Sequence, residues 1–80
     1  MRVSTIKSDR GYKNYDPSMK YEVTVNGIRL VNGVTADEEN GVAESIESDE
    51  NGKVIVHRGG FTKTFGHKGK VLIRVTPRQP

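Results

Sequence analysis

The chain has no cysteine, so neither a disulfide framework nor a thiolate zinc site is open to it, and its redox compartment is left undetermined. It has no apolar run near the roughly 18 residues of a membrane span, and the N-terminal "MRVSTIKSDR" lacks the apolar stretch of a signal peptide. A soluble intracellular protein with no membrane partner is expected. Catalytic motifs are equally scarce: Ser4, Ser8, Ser18, Ser45 and Ser48 stand in no GxSxG or SxxK setting, and neither histidine has a recognisable orienting partner. The glycines of "GGFTKTFGHKG" run into a strand pattern, whereas a phosphate loop needs a following helix. "DEENG" and "SDENGK" lack the twelve-residue spacing of a calcium loop, and His57 and His67 alone do not make a metal site. Eighty residues form one domain that buries only about 60% of its unfolded surface, which leaves one small core and no roomy cleft. The expectation is a protein that is not an enzyme and uses no cofactor or metal.

Charge is present but unevenly spread. The net charge is only +3, yet Asp37, Glu38, Glu39, Glu44, Glu47, Asp49 and Glu50 form an acidic stretch without a base. From His57 to Pro80 the chain carries Arg58, Lys63, Lys68, Lys70, Arg74 and Arg78 and no acid. Such asymmetry marks either a polyanion-binding face or acidic and basic strands that lie side by side and neutralise each other.

Period-two alternation begins at Lys20. "KYEVTV" sets Tyr21, Val23 and Val25 on one face against Glu22 and Thr24, and Asn26-Gly27 then supplies the two positive-φ positions of a type I′ turn. "IRLVNGVTA" reads as the return strand, bulged or bent at Asn32-Gly33, and "DEENG" as the next turn with Gly41 left-handed. "VAESIES" reads as a strand, "DENGK" as a hairpin and "VIVH" as the strand leaving it. "FTKTF", a "GHKG" turn and "KVLIRV" complete the pattern. The expected fold is an all-β antiparallel meander of about six strands over residues 20–76, closing as a small barrel or a two-layer sandwich. Residues 1–19 show no period and read as an irregular arm, flexible or docked on a partner, and residues 77–80 as a tail after a strand ended by Pro77. The expected core is Tyr21, Val23, Val25, Ile28, Leu30, Val42, Ile46, Val54, Val56, Phe65, Val71, Ile73 and Val75.

On this reading "HRGGFTKTFGHKGK" and the strand after it make a basic hairpin, and Arg58, Lys63, His67, Lys68, Lys70 and Arg74 are its candidate contact residues, for a protein partner or for nucleic acid. The paired carboxylates of the acidic stretch sit in turns, where water keeps them ordinary.

The succession "VTVNGIRLVNGVTADEENGVAESIESDENGKVIV", closed by "KVLIRV", resembles small β-rich proteins of unassigned role encoded in tailed-bacteriophage and prophage genomes, over residues 20 to 75. There a strand ending in NG precedes an "ADEExG"-like turn, a hydrophobic strand, a "DENGK" hairpin and a last basic strand. The resemblance implies a non-enzymatic accessory protein that works by protein–protein contact, in the virion or on a host factor in the host cytoplasm, and it carries over no functional residue. The alternative is a basic nucleic-acid-binding β-barrel.

Overall fold

The alternation in "MKYEVTV" produces a long strand, Met19–Val25, and Asn26 and Gly27 turn the chain back at φ of 51° and 81°, as a type I′ hairpin requires. A computed structural model describes residues 1–78. In chain order its strands are β1 (Arg2–Ser4), β2 (Met19–Val25), β3 (Ile28–Arg29), β4 (Gly33–Asp37), β5 (Val42–Ile46), β6 (Thr64–Lys68) and β7 (Val71–Pro77), with one 3-10 turn at Tyr12–Asn14. All pairings are antiparallel, and they form two sheets ordered β1-β4-β5-β6 and β3-β2-β7. The all-β antiparallel class is as expected, while neither sheet closes into a barrel among the described residues.

The N-terminal arm is a correction. Residues 2–4 are an edge strand paired to β4 in the register Arg2↔Asp37, Val3↔Ala36 and Ser4↔Thr35, and Val3 and Ser4 are buried. Three residues are too few to show a period in sequence, but the open edge of β4 needs backbone partners and this segment supplies them. "IRLVNGVTA" is two strands in different sheets, because Asn32 takes a positive φ of 56° and ties its side-chain amide to the Gly52 carbonyl at 2.8 Å. "VIVH" holds only isolated bridges, Ser48↔Val54 and His57↔Phe61, so no strand forms there.

The basic hairpin is corrected as well. β6 begins three residues later than the "FTKTF" reading, takes Gly66 and His67 into the strand, and pairs with β5 rather than β7. After Lys68 the chain crosses to the other sheet. The crossing is pinned where the Gly69 N–H donates to the Gly41 carbonyl (3.0 Å) and the Lys70 N–H to the Asn26 Oδ1 (2.8 Å). Pro77 does not end the last strand before itself. It lies within β7 at a position whose N–H would face away from β2, so the missing donor breaks no ladder bond. Of the expected 77–80 tail, Arg78 still donates its N–H to Ser18, and residues 79–80 lie outside the described residues.

The core is smaller than the alternation suggests. Val3, Ala36 and Ala43 from one sheet and Val71 from the other are buried, with Tyr15, Tyr21, Val23, Val25, Leu30 and Ile73 packed against them. Ile28, at 74% exposed, and Val54, Val56, Phe65 and Val75 leave the expected core for the surface. Val71, Ile73 and Val75 share a face in sequence, but only Val71, 3% exposed, is fully buried in the cluster with Val3, Ala36 and Ala43 of the other sheet. Val71→Ala is expected to cost about 2–3 kcal/mol, and Val75→Ala no more than about 0.5 kcal/mol. Urea unfolding of the two variants checks this, and equal losses would contradict the burial.

Candidate functional site

β6 reads Thr64-Phe65-Gly66-His67-Lys68 and lies at the end of the four-stranded sheet. Its ladder with β5 runs without a register shift from Ile46↔Thr64 to Val42↔Lys68 and continues into Glu47 N–H to Lys63 carbonyl (2.8 Å) on one side and Gly69 N–H to Gly41 carbonyl on the other. Hydrogen-bonded and non-bonded pairs alternate in an antiparallel ladder. Phe65 and His67 therefore spend their backbone groups on β5, and the N–H and C=O of Thr64, Gly66 and Lys68 face outward.

The other three edges are obstructed. On β1, the outward Ser4 N–H donates to the Gly11 carbonyl (3.3 Å) and the Arg2 carbonyl accepts from the Asn14 amide (2.7 Å). On β7, the outward Ile73 N–H donates to Glu38 Oε2 (2.9 Å), and Pro77 has no N–H to offer. β3 is two residues long and presents one outward residue, Arg29. An edge with free backbone groups is a template for another strand, and among the described residues β6 alone offers three consecutive outward positions with none occupied.

Beside this edge the side chains are mixed. Phe65 is 47% exposed on the face shared with Ala43 and Ser45, and His67, half-buried on that face, hydrogen-bonds through Nε2 to Ser45 Oγ at 2.9 Å. Gly66 faces open space, with no atom within 4 Å of where a Cβ would stand. The loop before the strand is gathered on Glu47, which donates its N–H to Lys63, accepts from the Ile55 N–H (3.0 Å) and meets His57 Nε2 with Oε1 at 2.5 Å. His57 in turn stacks on Phe61, ring centroids 5.2 Å apart.

The charges do not neutralise each other as acidic and basic neighbours. Asp37, 2% exposed at the end of β4, is served by the N-terminus: Oδ2 accepts from Arg2 Nη1 (3.2 Å), Arg10 Nη2 (3.4 Å) and the Asn40 amide (2.9 Å), while Oδ1 accepts the Asn40 N–H (3.1 Å). Arg2 also makes a bidentate pair with Asp9 at 2.9 and 2.7 Å. The Asn40 donors, followed by Arg2, hold the Asp37 carboxyl far below the usual carboxylate range, and Arg2 with the Gly11 N–H brings Asp9 to about 2. Asp37 is thus no ordinary solvated turn carboxylate. Arg58, Lys63, Lys68, Lys70 and Arg74 form no ion pair among the described residues.

The six candidate contact residues are divided by the crossing. Lys63, His67 and Lys68 lie on or beside β6, Lys70 follows at the junction, and Arg58 sits in the exposed turn closed by His57 and Phe61. Arg74 lies across the junction on β7, opposite Glu22 in the second sheet. Sequence reading missed Gly66, Thr64 and the exposed Phe65 as site elements. The glycine was read as turn punctuation and the phenylalanine as core. No family model, no curated protein and no solved structure matches the chain.

Proposed function

We propose that this chain is a small non-enzymatic contact module, a two-layer β-sandwich that takes up an extended segment of another protein as a fifth strand beside β6. The observation that carries the reading is the one uninterrupted free edge among the described residues: the backbone groups of Thr64, Gly66 and Lys68 face outward while the other edges are occupied, short or interrupted. Strand addition draws its affinity from main-chain hydrogen bonds and its specificity from alternate side chains. The exposed Phe65 ring supplies the apolar part of that surface. The resemblance to phage accessory proteins suggests the setting, a partner in the virion or in the host cell.

Gly66→Pro tests the mode of binding. It removes one outward N–H and touches no bond to β5, so folding is expected to persist, as proline is tolerated on sheet edges. Peptides selected from a random display library on the wild-type protein are expected to shift the amide NMR signals of Thr64, Gly66 and Lys68 and to lose at least about tenfold in affinity on folded Gly66→Pro, a change worth about 1.4 kcal/mol. Peptides that bind this variant unchanged would place recognition elsewhere.

A further inference from the structure

Resting on the strand-addition reading, we infer that the segment β6 accepts is acidic, with carboxylates alternating with apolar residues. Three observations converge. Lys63 and Lys68 border the edge, Lys70 follows at the junction, Arg58 stands in the preceding loop, and none has an acidic partner among the described residues. The strand alternates as well: Phe65 points to one face and Lys68 to the other, so an added strand meets an apolar ring and an ammonium on opposite sides. Finally, a second copy is a poor occupant. Two β6 edges brought together over their three outward residues would set Lys68 opposite Thr64 with no acid on either strand, so self-pairing leaves both ammonium groups without a counter-charge.

Glu44 lies opposite Gly66 on β5, on the same face as Lys68. It stands one strand further in. Two strand spacings, roughly 10 Å, would separate it from an added strand, which is about a Debye length at ordinary ionic strength. Lys68 would be half as far away, so attraction prevails. The ammonium that self-pairing leaves without a counter-charge also selects the partner.

The probes are three acetylated, amidated heptapeptides alternating Val with Glu, with Gln or with Lys, titrated by calorimetry on the full chain. The Glu peptide is expected to bind about threefold more tightly than the Gln peptide and to weaken with added salt, since Lys68 faces the carboxylate side of the added strand and one cross-strand charge pair is worth roughly 0.2–1 kcal/mol. Lys68→Glu, whose exposed position leaves melting unchanged, is expected to reverse the order in favour of the Lys peptide. Gly66→Pro is expected to abolish all binding. Equal affinities for the Glu and Gln peptides, both still lost in Gly66→Pro, would overturn the acidic preference and leave strand addition standing. Glu-peptide binding that survives Gly66→Pro, or no binding of the Glu peptide to the wild type, would overturn the inference; survival would also count against strand addition at β6.

Discussion

Gly41→Ala is expected to lower stability by roughly 3 kcal/mol or more, enough to move the melting temperature of a domain this size down by about 12 °C or beyond. Two effects add. Gly41 has φ of +64°, where any L side chain costs about 1 kcal/mol, and the added Cβ would stand 2.6 Å from the Gly69 carbonyl oxygen. That oxygen belongs to the backbone at the crossing between the sheets, which is itself held by the Gly69 N–H to Gly41 bond and by Asn26. Relief therefore requires β6 and β7 to shift their junction. Gly27→Ala is the control: its φ is +81°, but its Cβ would meet nothing within 4 Å, so only the conformational cost of about 1 kcal/mol applies. Thermal melts of both variants decide the matter, and coincident midpoints would show that the close approach of Gly41 and Gly69 carries no weight.

Acid is expected to unfold the protein through its N-terminal strand. The Asp9 and Asp37 carboxyls both titrate below their ordinary 3.8 in the folded chain, Asp9 at about 2 and Asp37 lower still, because Arg2, Asn40 and the Gly11 N–H favour the ionised forms. Between pH 4 and 2 the unfolded chain then binds more protons than the folded one, so stability falls as pH falls. Their contribution is complete above about pH 5 and is lost progressively towards and below pH 2. Asp37→Asn should show the same dependence from the other side. At pH 7 it leaves the Arg2 and Arg10 guanidinium groups facing a neutral amide at a buried position and is expected to lower the midpoint by roughly 10 °C or more, with a shallower decline in acid. Circular-dichroism melts across pH 7 to 2 measure both quantities. An unchanged midpoint at pH 7 would mean that the network does not hold β1 to β4.

Turns were the most legible part of the chain, since positive φ is a local demand that Asn26-Gly27 and Gly41 meet with their own chemistry. The strands β2 and β7 followed from alternation, and β5 from the turns on either side of it and the preference of Val42 and Ile46 for a pleated surface. Sheet membership did not, because alternation tells which side chains share a face but not which sheet the face belongs to. For that reason Phe65 and Ile28 read as core and are exposed, while Ala36 and Ala43, too small to stand out in a hydrophobic pattern, form the floor on which Tyr21, Val23 and Ile73 pack. The cations of the candidate site were all visible as residue types. Their freedom was not, because it depends on the register that sets Gly66 rather than a lysine opposite Glu44 and Val42 opposite Lys68. The openness of β6 was hidden for a similar reason, being defined by what Gly11, Asn14 and Glu38 do at other edges.

The pairing of β2 with β7 also sets an order of assembly. Val25 meets Val71 across a chain loop of roughly 45 residues, and closing a loop of that length costs about 3 kcal/mol of entropy beyond a constant before any contact repays it. β2 and β3, joined by a two-residue turn, and β4 and β5, joined by a four-residue turn, incur much less. Long-range strand pairing is intrinsically slow. The β2–β3 and β4–β5 hairpins are therefore the parts of the chain that close at the least entropic cost, and the two pairings that carry the chain ends, β1 with β4 and β7 with β2, close at the most.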